Sequence, residues 1–288
     1  MPKIHPSAVV DPTAEIADDV TIGAYAVIEG GVKIGSGSVI GSHAIIHRYT
    51  SLGQGNFVDS FAALGGLPQD LKFDPRTVTY LRIGDFNTFR EHVTISRATK
   101  PGTATTIGNK TYWMVGSHAG HDSAVDDGVI LANNAAVAGH AHIGRKAILS
   151  ANVLIHQFCW IGEMVMTQGN SGLSMHLPPY TMLADGINRV VGLNKVGIRR
   201  NPDFTEEDRR QIKEAFRITY RSGITMTKAL AQMDACTDWG EPACRFREFV
   251  RKVLTAQPPY NRGLCPMRTR RADAAANGQG NCKLQIVN

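Results

Sequence analysis

Stepping along the chain in sixes from Ile4 meets an aliphatic residue each time: Val10, Ile16, Ile22, Ile28, Ile34, Ile40, Ile46, Leu52, Val58 and Leu64. Four residues after most of these stands a small one, as at Ala8, Ala14, Ala26, Ser38, Ala44 and Thr50. The pattern breaks after Leu64 and resumes one residue out of phase at Ile83, Phe89 and Ile95. It continues through Ile107, Trp113, Ala119, Val125, Leu131, Val137, Ile143, Leu149, Ile155 and Ile161. Thr167 interrupts it and Leu173 fits again. A period of six suits neither a helix nor a simple alternating strand. It suits a triangular coil of about 18 residues, with one short strand and one turn per side. The aliphatic residue points into the prism and the small one fits where the interior is tight. Successive coils hydrogen-bond at strand spacing, about 4.8 Å. The pattern therefore predicts a mainly β chain, with a parallel β-helix over residues 1–188.

The breaks are informative too. Residues 65–80, bounded by Gly and Pro, read as a loop projecting from the prism, with Gln69, Asp70 and Lys72 as its polar cluster. A second, smaller excursion falls near Arg97–Thr106. Pro178-Pro179 is expected to close the prism, because a proline pair cannot continue a strand ladder. From about residue 203 the period turns helical. Thr205 and Asp208 frame a capping box, and Ile212, Ala215, Phe216, Thr219 and Tyr220 share one helical face. Met226, Leu230 and Met233 suggest a second helix. Phe246, Phe249, Val250 and Val253, after Pro242, suggest a third. These define a small α-helical C-terminal domain over 189–268, and the polar, Ala/Gly/Asn-rich composition of 269–288 predicts a disordered tail.

Charge changes the picture in one respect. Residues 1–188 hold 12 Lys/Arg and 15 Asp/Glu, a charge of −3; residues 189–288 hold 19 and 10, a charge of +9. A basic C-terminal part suits a phosphorylated small molecule better than nucleic acid, since no aromatic interleaving or nucleic-acid motif accompanies it. No apolar run approaches the length of a membrane span, and the opening M-P-K-I-H-P has no signal-peptide core. Five cysteines without a C-x-x-C pair point to a reducing, cytoplasmic setting.

The 18-residue register gives the polar residues an address. His121 should lie over Gly139 and Gly139 over Gln157, while Asp122 lies over His140; His118 is on the same coil. This patch admits three readings. A histidine with a carboxylate neighbour and a bare backbone N–H is equipment for acyl transfer to an alcohol by general-base catalysis, without a covalent intermediate. His118, His121 and His140 could instead hold zinc with an open position, as in a β-helical carbonic anhydrase. The patch could also be inert surface. Cys159 occupies a small inward position and reads as core, and the Asn133-Asn134 pair reads as turn structure.

At H-A-G-H-D, L-A-N-N-A-x-x-A-G-H, H-Q-F-C, P-P-Y, Q-D-L-K and G-L-N-K-V-G-I-R-R, the chain resembles the UDP-N-acetylglucosamine acyltransferases of lipid A biosynthesis, over roughly residues 1–268. The resemblance implies a left-handed winding, a homotrimer and an active site between neighbouring prisms. It implies transfer of a 3-hydroxyacyl chain from acyl carrier protein to the 3-position of the sugar nucleotide, with no cofactor beyond the carrier's phosphopantetheine and no metal. His121 would be the base, Asp122 its orienting partner and the Gly139 N–H the oxyanion hole. Gln69, Asp70, Lys72, His118, His140 and Gln157 would contact sugar or acyl donor. Asn194 and Arg200 would hold the nucleotide, and Gly169 would set acyl length, its lack of a side chain favouring a longer chain. The chain departs from the usual H-I-A-H-D-C at Ala119, Gly120 and Ser123, and carries Val196 and Asn201 beside the nucleotide motif. These departures keep open N-acylation of the 3-amino analogue of the sugar nucleotide, and another hexapeptide acyl- or acetyltransferase remains an alternative.

Overall fold

Each hexad folds as a two-residue strand and a turn, so that only the second strand residue is driven inward. In the computed structural model, which describes residues 1–184 and 186–267, 28 strands form three faces of eleven, nine and eight strands. The expected tail over 269–288 lies outside the described residues. The coils are in register at 18 residues: His118 pairs with Ala136 and Ala136 with Leu154. The two insertions leave the ladder intact, since Phe57 pairs with Thr88 across the first and Thr94 with His118 across the second. A loop that leaves and re-enters at one corner need not disturb the strands it joins.

The aliphatic series is the core, with Ile22, Ile28, Ile40, Ile46, Leu64, Ile95, Trp113 and Leu131 each almost wholly buried. The small inward positions hold a second, polar column along one corner. Asn87 donates its N–H and amide to Asn56 Oδ1, both at 3.0 Å. Thr111 donates its N–H and hydroxyl to Asn87 Oδ1 at 2.8 and 2.7 Å. Trp113 Nε1 then donates to Thr111 Oγ1 at 2.8 Å. A buried polar column pairs only in the right register, so it reinforces the stacking of coils that the aliphatic residues set.

Pro178-Pro179 does not close the prism. The strand Thr181–Leu183 follows and pairs in parallel with Met166–Thr167, and Val190–Leu193 then adds antiparallel to it. The prolines occupy the preceding turn, where no ladder N–H is needed. Gly162 makes room for them, since a Cβ there would stand 2.3 Å from the Pro179 nitrogen. The ladder thus ends in a reversed strand at Leu193, and the helical part starts at Lys195 rather than 189.

Four helices follow: α1 (Lys195–Arg200), α2 (Glu206–Arg221), α3 (Met226–Asp234) and α4 (Glu241–Leu254). Both bonds of the Thr205–Asp208 capping box are made. The unexpected one is α1, whose only sequence signal is Asn194 at its N-cap. Helices α2, α3 and α4 share a core of Ile212, Ala215, Ile218, Met233, Phe246 and Val250. Helix α4 lies against the eight-strand face, with Lys252 Nζ 4.0 Å above the Trp160 ring and Arg245 bonded to Glu163 at 2.5 Å. No helix among the described residues is long and apolar enough to cross a membrane.

The projecting loop spans residues 67–79 and is anchored from below. Arg97 is 2% exposed. Its guanidinium lies 5.0 Å from the Tyr49 ring and 5.7 Å from Phe73 in the loop, and donates to the Pro75 carbonyl at 3.3 Å. Its Nε and Nη1 are buried without a hydrogen-bond partner among the described residues. Stacking on aromatic faces is therefore what holds this cation. Replacing Arg97 with alanine is expected to free the loop. Tryptic cleavage after Lys72 and Arg76 should rise several-fold, and the melting temperature should fall by roughly 2–6 °C. An unchanged digestion pattern would show that the loop holds itself.

Candidate active site

Three turns stack at the corner between the nine-strand and eight-strand faces, and each puts a non-glycine residue in the left-handed region. These are Asp122 (φ 58), His140 (φ 60) and Phe158 (φ 63). The same conformation recurs at turns along the prism, from Tyr25 and His43 to Asn152 and Asn170, so it is the corner geometry of the coil. The His140 N–H donates to the His121 carbonyl at 3.0 Å and the Phe158 N–H to that of Gly139 at 3.3 Å, which locks one turn over the next.

On this frame His121 Nδ1 lies 2.8 Å from Asp122 Oδ2. The carboxylate accepts, so Nδ1 carries the proton and Nε2 presents a lone pair. The ring lies over Gly139: a Cβ on Gly139 would stand 2.7 Å from His121 Cε1 and 2.8 Å from Nε2. Only glycine leaves room for the imidazole there. The Gly139 N–H makes no hydrogen bond among the described residues. Gly120 matters in the same way, because a Cβ at 120 would stand 2.7 Å from the Gly139 nitrogen. A free imidazole nitrogen and an open N–H donor thus lie one coil apart.

Asp122 is half-buried, and burial alone would raise its carboxyl pKa. Hydrogen bonds from His121 and from the hydroxyl and N–H of Thr99, with the charge of His140, outweigh burial and hold it at about 2. It therefore stays ionised at any working pH. His140 Nε2 is 3.7 Å from the same Asp122 oxygen. Burial lowers the His140 pKa against the pull of Asp122 and, from the projecting loop, Asp70; burial likewise lowers that of His118. The His140 ring stands edge-on to His121 at 5.1 Å and stacks on Phe158 at 4.7 Å. Tyr260, from the returning C-terminal segment, meets Phe158 edge-on at 5.3 Å.

The structure brings His121, Asp122, Gly139 and His140 together, with Asp70 near enough to act on His140 through its charge. Gln69, Asp70 and Lys72 are exposed on the loop, and Gln157 is exposed one coil beyond Gly139. His118 lies on the strand His118–Ala119, with Nδ1 2.8 Å from Thr94 Oγ1. The three-histidine zinc set is accordingly not assembled: the ligand atoms gathered within 4.8 Å belong to His121, Asp122 and His140. Gly169 lies at the neighbouring corner, over Ala151. Asn194 caps α1, with Oδ1 accepting from Gly197 N–H and Nδ2 donating to the Met164 carbonyl, both at 2.9 Å. Asn194 thus ties α1 to the turn at Met164, the third corner of the prism, and Arg200 is at the exposed end of α1. Cys159 is wholly buried, and burial pushes its thiol up to about 11. Asn134 takes the left-handed turn conformation, and Asn152 donates to Asn170 one coil on at 3.1 Å. Thr99, Thr105, Phe158 and Tyr260 also build the site. Only Phe158, 18 residues after His140, had a signal in the sequence.

Comparison with known proteins gives consistent results. The family model described as UDP N-acetylglucosamine O-acyltransferase, domain 2, matches residues 177–265, and the bacterial transferase hexapeptide model matches 13–48. An acyl-[acyl-carrier-protein]–UDP-N-acetylglucosamine O-acyltransferase of Stenotrophomonas maltophilia (strain K279a) is 44% identical over 81% of this chain and 88% of its own length. One of Janthinobacterium sp. (strain Marseille) is 38% identical over 90% and 98%. The solved UDP-N-acetylglucosamine acyltransferase of Francisella novicida superposes with a TM-score of 0.86 at 31% identity, covering 94% of this chain and 96% of that one. That of Campylobacter jejuni gives 0.82 at 33% identity, covering 92% and 100%. The left-handed parallel β-helix with a helical C-terminal part is the fold they share.

Proposed function

Because the chain belongs to the acyl-[acyl-carrier-protein]–UDP-N-acetylglucosamine O-acyltransferase family, we propose that the corner built on His121 performs that transfer. The protein moves an acyl group from acyl carrier protein to UDP-N-acetylglucosamine in lipid A biosynthesis. In the mechanism, His121 Nε2 takes the proton of the sugar 3-hydroxyl as its oxygen attacks the thioester carbonyl of a 3-hydroxyacyl chain. The Gly139 N–H receives the oxyanion. The intermediate collapses with loss of the phosphopantetheine thiolate, which takes the proton back from His121. The ester and the carrier thiol are the products. Asp122 holds the ring in the required tautomer and stabilises the imidazolium. No cofactor beyond the carrier's arm, and no metal, has a part in these steps. The observation that carries the reading is the imidazole lying against the bare Gly139 position one coil away.

The site is split on one chain: the His121 patch, Gly169 and the Asn194–Arg200 helix lie at three different corners. A homotrimer of parallel prisms would bring one chain's corner against a neighbour's face and unite them, with the nucleotide held by Asn194 and Arg200 and the acyl chain running toward Gly169. The basic C-terminal part suits the acidic carrier, and a carrier-bound donor suits the cytoplasm. The test is an assay with UDP-N-acetylglucosamine and its 3-amino analogue against carrier thioesters of several lengths. Alkali-labile product from the hydroxyl acceptor, with a longer acyl chain preferred, is expected. Turnover of the amino analogue alone would overturn the acceptor, and a preference for short chains would overturn the role of Gly169.

A further inference from the structure

The excursion at residues 97–103 interrupts the hexads directly beside Asp122, and the excursion and the strand after it both grip that residue. In the turns that follow, the N–H of the left-handed residue donates to a backbone carbonyl one coil back, as His140 does to His121 and Lys146 to Asp127. Asp122 has no such carbonyl, because the inserted segment has carried the preceding chain away. Its N–H donates instead to Thr105 Oγ1 at 2.8 Å. Thr105 is wholly buried in the strand Ala104–Ile107, just after the excursion. At the near end, Thr99 turns both its donors on the carboxylate. Its hydroxyl donates to Oδ2 at 2.7 Å, and its N–H lies 3.2 Å from each oxygen. Oδ2 is the oxygen that also accepts from His121.

We infer that Thr99 is a positioning residue for the acyl transfer: while Thr105 holds the Asp122 backbone, Thr99 fixes the Asp122 carboxylate, and through it the plane and tautomer of His121. The inference rests on His121 being the base. A carboxylate held only by the imidazole could rotate about its own Cα–Cβ bond and take the ring with it. The Thr99 hydroxyl removes that freedom at the oxygen the imidazole uses. A charge-assisted bond of this kind is among the stronger ones available to a neutral donor. The other titratable groups facing Asp122 are His140 and, from the C-terminal segment, Tyr260; Lys100 and Asp70 face His140, and His118 faces His121.

The test compares Thr99→Val, which keeps the shape and deletes the hydroxyl, with Thr99→Ser, which keeps the hydroxyl, and with His121→Ala. For Thr99→Val, kcat should fall about tenfold with KM within about twofold, the equivalent of one charge-assisted hydrogen bond in the transition state. The acid limb of its pH–rate profile should move upward. A carboxylate with one donor fewer is more basic and shares a proton with the imidazole more strongly. Thr99→Ser should stay within about twofold of wild type with an unmoved profile. If the valine variant does not fold, Thr99→Ala carries the same expectation. Wild-type kcat and an unmoved acid limb in the hydroxyl-deleted variant would overturn the inference. So would equal losses in the valine and serine variants, which mean that shape alone matters. If His121→Ala is inactive while Thr99→Val behaves as wild type, the positioning role fails alone; if His121→Ala is active, the base assignment fails with it.

Discussion

Replacing His121 with alanine is expected to lower kcat by roughly 10²–10⁴-fold, the range that a positioned general base contributes, and to leave the fold intact. The residue stands at a corner of the prism, outside the aliphatic cluster that fills it. Its loss takes one donor from Asp122, but the two donors of Thr99 remain. The carboxylate therefore keeps partners, and the melting temperature should move by no more than a few degrees. KM for the sugar nucleotide should change little, because the base acts on the hydroxyl in the transition state rather than on the bound ground state. A variant with kcat within a few-fold of wild type would remove the base from the mechanism.

Gly139→Ala is expected to cost nearly as much, roughly 10²–10³-fold in kcat. The backbone at 139 is not in the left-handed region, so alanine is tolerated there without strain. What it lacks is space, because its Cβ would stand 2.7 and 2.8 Å from His121 Cε1 and Nε2. The ring must swing away from Asp122, and the N–H beside it loses its alignment with the reacting carbonyl. The double variant separates the two effects. Once His121 is alanine the methyl at 139 has room, so the second substitution should cost much less than it does alone. Strict additivity would mean that the glycine is needed for some reason other than the imidazole above it.

The prism was legible because its cause is periodic. Ile22, Ile40 and Leu131 recur at a spacing that only a triangular coil accommodates, and all are buried. Counting by 18 also placed His121 over Gly139 and Asp122 beside His140, since hydrogen-bonded coils cannot slip without turning the aliphatic residues outward. The same count failed at the insertions. Thr99 and Thr105 are not in phase with Asp122, so no register points to them; they reach it because the excursion folds back onto that residue. Tyr260 arrives from the end of the helical part, and nothing local in the sequence marks that return. Proline chemistry misled at Pro178-Pro179, because the rule forbids proline in a central strand and says nothing of the turn before one. The short helix α1 escaped notice because six residues with an internal glycine carry no helical period.

The β-sheet pitch has a consequence for how such a protein can change. His121 sits on one rung and the Gly139 N–H on the next, so their separation is a lattice constant of the ladder and not a freely adjustable length. A deletion between residues 121 and 139 either removes a whole rung, and the donor with it, or throws every later side chain out of phase. Any dimension of the substrate read along the prism axis is digitised in the same way, in increments of one rung. Fine adjustment is left to side-chain volume at a single turn.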